Sequence, residues 1–223
     1  MFPAETLDRL SAAELQARLT GTLIGRQIVV LEQTGSTNDA ILELATSPSM
    51  DGLVLFAEHQ TAGRGQRANR WESAAGKGLW FSIILHPQIQ IKESWRLTTW
   101  AIGAISDVIR AEFGLDPTIK LPNDVQLHGR KVAGVLVEMR AQQKAPHVAV
   151  VGIGVNANQL DFPKELRDKA TSLAMILGRE VNRQEFAVAL LRHLDRTYRE
   201  RFVTELAKLS GAALAWAEAV ERA

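Results

Sequence analysis

Short apolar runs bounded by polar or glycine-containing segments restrict the fold of this chain more than any other feature. Three of them read LVLFAEH at 53–59, GLWFSIIL at 78–85 and VAVVGIGV at 148–155. Apolar runs of this length indicate buried β-strands, and they are far too short to cross a bilayer as helices. We therefore expect a sheet that is covered on at least one face.

Helical patterns surround these strands. A serine followed three residues later by a glutamate predicts a capped short helix over 11–19, and a turn and a strand are expected over 21–33. A long helix is predicted over 94–113, where a glycine and a proline then stop it. From residue 171 the pattern is helical and is expected to stay helical to the end of the chain.

Three further strands are predicted in the second half of the chain, over 118–127, 131–140 and 147–156, with a tight His128-Gly129 turn joining the first two. Strands and helices alternate without a repeat, a linker or a low-complexity segment. The expected fold is a single α/β domain, a mixed β-sheet flanked by helices.

Composition excludes several classes of function. The 223 residues include 26 basic and 25 acidic side chains, so a net charge of +1 gives no overall field that would hold nucleic acid or an anionic membrane. The absence of cysteine excludes disulfides, thiolate catalysis and cysteine metal sites, and it suits a reducing compartment. The five histidines lack zinc-binding spacing, and the first residues lack a signal sequence. A cytoplasmic location is expected.

The long loop between the first two apolar runs carries Arg64, Arg67 and Arg70, followed by Trp71. Guanidinium groups crowded in this way suit phosphate or carboxylate oxygens, nearby glycines let the backbone approach a ligand, and the indole could cover a planar base. The alternative is a solvated basic loop with a tryptophan tucked into the core. The loop by itself does not decide between the two.

A second polar group surrounds a predicted turn and consists of Lys120, Asn123 and Asp124, with Lys131 at the head of the next apolar strand. A lysine that enters a buried strand is costly to desolvate unless an anion meets it. Asp124 could hold magnesium, and the two lysines could neutralise phosphate. Taken alone, the segment is better explained as a turn in a surface hairpin, but the arginine loop shifts the balance towards a ligand site.

Two more polar segments lie at the ends of predicted elements. Ser36, Thr37 and Asn38 precede a helical pattern and should lie at a helix N-terminus. The segment GIGVNAN at 152–158 lacks the βαβ context of a dinucleotide fingerprint, and we expect Asn156 to face a ligand from the strand end instead. The chain has no Walker loop, so any ATP must bind by another arrangement.

Six segments, in their order along the chain, resemble the biotin protein ligases. They are GSTN at 35–38, EHQTAGRGQRANRW at 58–71, GLWFSIIL at 78–85, KLPND at 120–124, GRKVAGVLVE at 129–138 and VGIGVNAN at 151–158. The resemblance implies a catalytic domain over 24–200, related to class II aminoacyl-tRNA synthetases and lipoate ligases. A helical segment at 1–23 and a helical tail at 201–223 would flank it.

The resemblance also implies a reaction in two steps. Biotin and ATP would give biotinyl-5′-AMP and pyrophosphate, and a specific lysine of a biotin carboxyl carrier protein would then attack the mixed anhydride. ATP and Mg²⁺ are the implied cofactors, biotin is the implied substrate, and a homodimer is compatible with the family. No enzyme nucleophile is needed, because in-line attack on the α-phosphorus mainly requires alignment and charge neutralisation.

Site residues follow from the matching motifs. Biotin binding is implied for Ser36, Thr37, Asn38, Gln60, Gly63, Arg64 and Lys131. ATP or adenylate binding is implied for Arg67, Arg70, Trp71, Lys120, Asn123, Asp124 and Asn156. The catalytic roles are implied for Lys131, Arg64 and Asp124, with Asp124 also as the magnesium ligand.

The chain departs from the family pattern in several places. Ala68 and Asn69 stand where many members have glycine and arginine, so we expect looser loop closure, while Leu121 replaces a common tryptophan. Few residues precede the first predicted strand, too few for a DNA-binding winged helix, so no repressor function is expected. The chain is also expected to end in helix near Trp216, without the small β-barrel domain that usually follows.

Three other functions compete with this one. A lipoate ligase or octanoyltransferase would share the scaffold, but a ring rich in hydrogen-bonding groups explains the polar STN cluster better than an alkyl chain does. A module that stores biotin or its adenylate would release no pyrophosphate. A nucleic-acid binder that uses the arginine loop conflicts with the near-neutral charge balance.

Overall fold

The computed structural model describes residues 9–45, 50–142 and 146–203. Its strands are β1 (Gln27–Thr34), β2 (Leu53–Gln60), β3 (Gly78–Leu85), β4 (Thr118–Lys120), β5 (Asp124–Leu127), β6 (Arg130–Arg140) and β7 (Val148–Asn156). They form one seven-stranded sheet in the order β1-β2-β3-β7-β6-β5-β4. β1 runs parallel to β2, whereas the other neighbouring pairs are antiparallel. The predicted mixed sheet is therefore confirmed.

The α-helices of the described ranges are α1 (Ala12–Arg18), α2 (Thr37–Leu44), α3 (Trp95–Phe113), α4 (Leu173–Leu177) and α5 (Arg183–Tyr198). Their ends follow from local chemistry. The side chains of Ser11, Ser172 and Asn182 each accept a backbone N–H from the first turn of α1, α4 and α5, as N-caps do. Gly114 ends α3 in the left-handed conformation, where glycine has no Cβ to clash.

The core is divided unequally between the two faces of the sheet. Helices α1, α3 and α5 cover one face and share a large apolar cluster with β3, β6 and β7. On the other face α2 packs against a small cluster that includes Leu55, Ile84 and Val150. Among the described residues, no helix covers the rest of this second face, over β3, β7 and β6, and this part becomes the floor of the candidate site.

The strand predicted over 118–127 is wrong in one respect, because the segment reverses direction. Lys120 pairs with Asp124 across an antiparallel turn, so β4 and β5 are two short strands. The physical reason is Pro122, which lies in the turn and has no N–H to donate to a continuous ladder. The predicted His128-Gly129 turn is confirmed, since both residues have the positive φ that a tight hairpin turn requires.

The helix predicted from residue 171 is also interrupted. Gly178 takes the left-handed conformation and ends α4, Asn182 then caps α5, and a π-helical turn follows over Arg199–Val203. The predicted continuation to Trp216 lies outside the described residues. Within the described ranges, none of the helices has both the length and the apolar character needed to span a membrane.

A buried ion pair joins the N-terminal segment, the sheet and α5. Arg183 is 0% exposed, and its Nη1 donates to Glu58 Oε2 at 2.7 Å and to the carbonyl oxygen of Gly78 at 3.1 Å. The other oxygen of Glu58 accepts the backbone N–H of Leu10 at 2.8 Å. One carboxylate on β2 therefore holds two distant parts of the chain, an arrangement that no motif in the sequence predicts.

Candidate active site

Three glycines make the floor of the site on the second face of the sheet. An added Cβ at Gly154 would lie 2.5 Å from Trp71 Cε2, and one at Gly134 would lie 2.9 Å from Trp71 Cζ3. A Cβ at Gly152 would lie 2.3 Å from Asn38 Oδ1. These side chains can therefore rest directly on the backbone of β6 and β7, which would be impossible if any other residue occupied the three positions.

A first cavity lies above this floor and has an empty volume of about 410 Å³, including space open to solvent. Its polar lining includes eight of the residues that the sequence predicted: Ser36, Thr37, Asn38, Gln60, Arg64, Trp71, Asn123 and Lys131. The arginine loop and Lys131 thus share one cavity although they lie far apart in sequence. This convergence is the feature on which the sequence-based interpretation depends.

A buried hydrogen-bond network holds the α2 end of this cavity. Gln60 Oε1 accepts from the backbone N–H of Thr37 at 2.9 Å and from its hydroxyl at 3.1 Å. The Ser82 hydroxyl lies 2.8 Å from Thr37 Oγ1 and 2.6 Å from Asn38 Oδ1, and Gln60 Nε2 donates to Ser73 Oγ at 3.1 Å. The network fixes polar groups in place before any ligand arrives, which favours binding of a ligand rich in hydrogen-bonding groups.

Replacing Gly152 with alanine should damage this cavity without unfolding the chain. The new methyl would overlap Asn38 Oδ1, so we expect Asn38 to move at a cost of about 1–3 kcal/mol. The ligand of the first cavity should bind at least tenfold more weakly, as measured by calorimetry. Gly103→Ala on α3, where an added Cβ meets nothing within 4 Å, is the control. Unchanged affinity in the Gly152 variant would show that the ligand does not depend on this part of the floor.

The arginine loop folds into a small hairpin over the cavity. Trp71 N–H donates to the carbonyl oxygen of Gly63 at 2.8 Å, and Gly65 N–H donates to that of Asn69 at 2.7 Å. A Cβ at Gly63 would lie 2.7 Å from the carbonyl oxygen of Trp71, so the loop can close on itself only with glycine there. Trp71 is thereby delivered onto the glycine floor, where it also meets Trp80 edge-on at 6.0 Å.

The three arginines of the loop differ in position. Arg64 Nη2 donates to Asp39 Oδ1 at 2.8 Å and to Glu138 Oε2 at 2.9 Å, and the residue lines the first cavity. Arg70 is largely exposed and lines a second cavity. Arg67 lines neither of these two cavities and lies in the neighbouring groove together with Gly63 and Glu138. The structure thus brings Arg64 and Arg70 to the site and leaves Arg67 and Gly63 at its edge.

Lys131 stands at the boundary between the two cavities and is held from several sides. Its Nζ lies 2.6 Å from Asp124 Oδ1 and 4.9 Å from the centre of the Trp71 ring. Its backbone N–H donates to the carbonyl oxygen of Lys169, and its carbonyl oxygen accepts the N–H of Thr171. An irregularity in the β5–β6 register beside Lys131 offsets its side chain from the regular alternation. The ammonium group is therefore partly shielded from solvent, and its contacts with Asp124 and Trp71 fix its position.

The second cavity lies on the far side of Trp71 and Lys131 and has an empty volume of about 1130 Å³, including space open to solvent. Its lining includes six of the predicted residues: Arg70, Trp71, Lys120, Asp124, Lys131 and Asn156. The segment around Phe162 and Leu166 forms an apolar part of its wall. Because Trp71 and Lys131 line both cavities, molecules bound in the two would meet at these side chains.

Two predicted asparagines also hold the protein itself together. Asn123 Nδ2 donates to the carbonyl oxygen of Val135 at 2.9 Å, and Asn156 Nδ2 donates to that of Thr171 at 3.0 Å. Each bond fixes a strand end beside Lys131. The expectation that Asn156 faces a ligand stays a prediction, since its amide already has this structural partner.

The acidic residues fit a metal only as part of a larger complex. Within residues 9–45, 50–142 and 146–203, no group of three or more His, Cys, Asp or Glu side chains could hold an ion. Asp124 offers a single carboxylate to the second cavity. Magnesium that is bound mainly by phosphate oxygens needs only one or two protein carboxylates, so Asp124 suits an ion that arrives with a nucleotide.

Sequence reasoning missed several residues of the site. Ser82 and Glu138 lie in two of the matching segments, but neither was given a role in the site, while Gly134, Gly152 and Gly154 are glycines inside strands. A glycine inside a strand is the available signal, because it often marks close approach of another group. Nothing local, however, shows that Trp71 and Asn38 are the groups that approach.

The chain is similar to known proteins over most of its length. The model of the Biotin/lipoate A/B protein ligase family matches residues 30–156. The Bifunctional ligase/repressor BirA of Bacillus subtilis is 34% identical over 194 residues, which are 86% of this chain and 60% of that protein. The Biotin--[acetyl-CoA-carboxylase] ligase of Mycobacterium tuberculosis is 35% identical over 198 residues, 84% of this chain and 72% of that protein.

A solved structure gives the same picture of the fold. The structure described as biotin protein ligase from Aquifex aeolicus in complex with biotin and ATP superposes with a TM-score of 0.67 and 29% identity, over 79% of this chain and 73% of that chain. The present chain spans about 60% of the length of the two BirA proteins of Bacillus that it matches.

Proposed function

The chain belongs to the Biotin/lipoate A/B protein ligase family, and on this premise we propose that it is a biotin protein ligase. It would join biotin to the adenylyl group of ATP and pass the biotin to a lysine of a biotin carboxyl carrier protein. The single observation that carries the proposal is the pair of cavities that share Trp71 and Lys131. Two substrates bound there would meet beside a fixed positive charge.

Biotin is assigned to the first cavity. Its ureido ring offers donors and an acceptor, and the buried side chains of Ser36, Thr37, Asn38 and Gln60 line the α2 end of this cavity. An alkyl chain would leave such groups without partners, which is costly in a buried site. The carboxylate would then lie towards Lys131, with Arg64 and the backbone around Gly63 closing the loop above it.

ATP is assigned to the second cavity. Trp71 and the apolar wall suit the adenine base, while Lys120, Arg70 and Lys131 suit the phosphates. Asn156 and Arg67 are further proposed contacts of the nucleotide, although Arg67 would have to swing in from the neighbouring groove. Asn123 is proposed as well, although it lines the first cavity and would contact the nucleotide from that side. Asp124 would hold a magnesium ion that supplies charge neutralisation at the phosphates.

The proposed reaction balances without an enzyme nucleophile. A biotin carboxylate oxygen attacks the α-phosphorus of ATP, the bond to the bridging oxygen breaks, and pyrophosphate leaves. The neutral amine of the carrier lysine then attacks the acyl carbon, the bond from this carbon to the phosphate oxygen breaks, and AMP leaves. The nitrogen loses a proton to solvent as the amide forms. Lys131 neutralises charge at the carboxylate and the α-phosphate, and the cavity walls align the reactants, which is where most of the rate acceleration in such reactions arises.

A carrier-labelling assay tests this proposal. The chain is incubated with ATP, magnesium and a biotin carboxyl carrier domain, in parallel with biotin, lipoate or octanoate. Of the three acids, we expect only biotin to label the carrier lysine, with release of pyrophosphate. Labelling by lipoate or octanoate but not biotin would reassign the chain within its family. Biotin binding without pyrophosphate release would make it a storage module.

Other expectations from the sequence remain predictions. They concern the division into 1–23, 24–200 and 201–223, a homodimer, and the lack of nucleic-acid binding. Strong and steeply salt-dependent binding to oligonucleotides would contradict the last of these.

A further inference from the structure

Glu138 connects two parts of the site that lie far apart in the sequence. Its Oε2 accepts a hydrogen bond from Asn38 Nδ2 at 2.6 Å and another from Arg64 Nη2 at 2.9 Å. Asn38 belongs to the buried network at the start of α2, and Arg64 belongs to the arginine loop. One carboxylate oxygen on β6 is therefore the meeting point of the cavity wall and the loop above it.

The sheet explains why a carboxylate stands at this point. Side chains alternate along β6, so Gly134, Leu136 and Glu138 point to the same face. Gly134 forms the floor, Leu136 lines the first cavity, and Glu138 lies beyond it at the edge, in the groove that borders the loop. On the side of β6 facing β5, the strand pairing ends at Gly134, which leaves room for the loop beside Glu138.

Asn38 is oriented by this contact. Its Nδ2 points to Glu138 and its Oδ1 lies 2.6 Å from the Ser82 hydroxyl. Since a carboxylate can only accept, it fixes which end of the amide carries the NH₂ group. An amide can make up to four hydrogen bonds, so both ends retain capacity for a ligand, and Glu138 determines which end offers a donor.

Arg64 is held by the same contact and by a second one. Its Nη2 carries two hydrogens, and Asp39 Oδ1 and Glu138 Oε2 lie 2.8 Å and 2.9 Å from it. Within the described part of the chain, the Asp39 carboxylate pairs with Arg64 and has no hydrogen bond to the Asn38 side chain, so its contact is confined to the loop. The effects of the two carboxylates can therefore be separated by mutation. Asp39 contacts the loop alone, whereas Glu138 contacts both the loop and the buried network at the start of α2.

We propose that Glu138 is a positioning residue that holds the arginine loop over the first cavity and orients Asn38 for its ligand. The inference rests on the proposed function for the identity of that ligand, biotin. Its part about the loop concerns the unliganded chain and stands without it. Loss of Glu138 should weaken biotin binding and open the loop together, whereas loss of Asp39 should affect the loop alone.

The first arm of the test needs no ligand. Limited trypsin digestion of the unliganded chain, followed by mass spectrometry, measures the rate of cleavage after Arg67 in the loop. Contacts between partly exposed charges are weak, so we expect Glu138→Gln and Asp39→Asn each to speed cleavage by about two- to fivefold. Asp107→Asn removes an exposed carboxylate that pairs with Arg110 on α3 and with His193 on α5, and it should leave the rate unchanged. If trypsin cleaves Glu138→Gln after Arg67 at the wild-type rate, the claim that Glu138 holds the loop is refuted.

The second arm measures biotin binding by calorimetry, with thermal melting as a check of folding. We expect Glu138→Gln to bind biotin about tenfold more weakly and Asp39→Asn to stay within about threefold of the wild type. In turnover, Glu138→Gln should raise the KM for biotin and leave the KM for ATP unchanged. Equal affinities in the two variants would refute the orientation of Asn38. A wild-type chain that binds no biotin would refute the proposed function, and the trypsin rates would still decide whether Glu138 holds the loop.

Discussion

Replacing Lys131 with alanine should slow biotin-dependent pyrophosphate release by about a hundredfold to a thousandfold, the usual effect of removing one preorganised charge-stabilising group. Lys131 lines both cavities, and its ammonium group is the positive charge placed where carboxylate and α-phosphate would meet. A colorimetric pyrophosphate assay at saturating biotin and ATP measures the effect. Biotin affinity should fall far less than the rate of pyrophosphate release, because the buried hydrogen-bond network at the start of α2 is unchanged.

The matched control for this change is Lys77→Ala, a half-exposed lysine that pairs with Glu180 and lines neither of the two cavities. It should release pyrophosphate at the wild-type rate. Lys131→Ala also removes the ion partner of Asp124, so the double variant with Asp124→Asn is compared with it by thermal melting. Normal pyrophosphate release in a folded Lys131→Ala chain would contradict the role given to this residue.

Replacing Arg183 with methionine should destabilise the fold by about 3–5 kcal/mol, because it leaves the mostly buried Glu58 carboxylate without its ion partner. In a domain of this size each kcal/mol corresponds to about 2–4 °C in melting temperature. Urea denaturation at constant pH gives the change in the free energy of unfolding. The loss of stability arises because the Glu58 charge is left buried and unpaired. Removing that charge as well, in the double variant Glu58→Gln with Arg183→Met, should therefore recover part of the loss.

Arg18→Met provides the contrast, since Arg18 pairs with Glu185 at the surface. The exposed pair should contribute little to stability, because solvent screens surface ion pairs. An Arg183→Met variant as stable as Arg18→Met would show that the buried pair does not hold the N-terminal segment and α5 to the sheet.

Elements whose signals are local could be predicted from the sequence. The runs at 53–59 and 78–85 are strands, and the helix over 94–113 ends where Gly114 takes the left-handed conformation. The segment 118–127 could not be placed correctly, because its apolar pattern continues through a turn at Pro122. A pairing such as Lys120 with Asp124 depends on where the chain reverses, and period alone does not reveal that.

The site could be predicted as a set of residues but not as two cavities. The sequence motifs predicted four site residues that the structure brings to one cavity: Asn38, Arg64, Trp71 and Lys131. Their relation to each other could not be predicted, because it depends on the register of β6 against β7. Glu138 is the clearest case, since it accepts a hydrogen bond from Asn38 across 100 positions of sequence, and the segment that it ends assigns it no role.

The exchange of labelled pyrophosphate into ATP tests the central claim most directly, because it needs only the first step and no carrier. The account predicts exchange that depends on biotin, is absent with lipoate or octanoate, and is lost in Lys131→Ala. A folded chain that binds both biotin and ATP, yet shows no biotin-dependent exchange, would contradict the claim that the two cavities bring these substrates together for reaction.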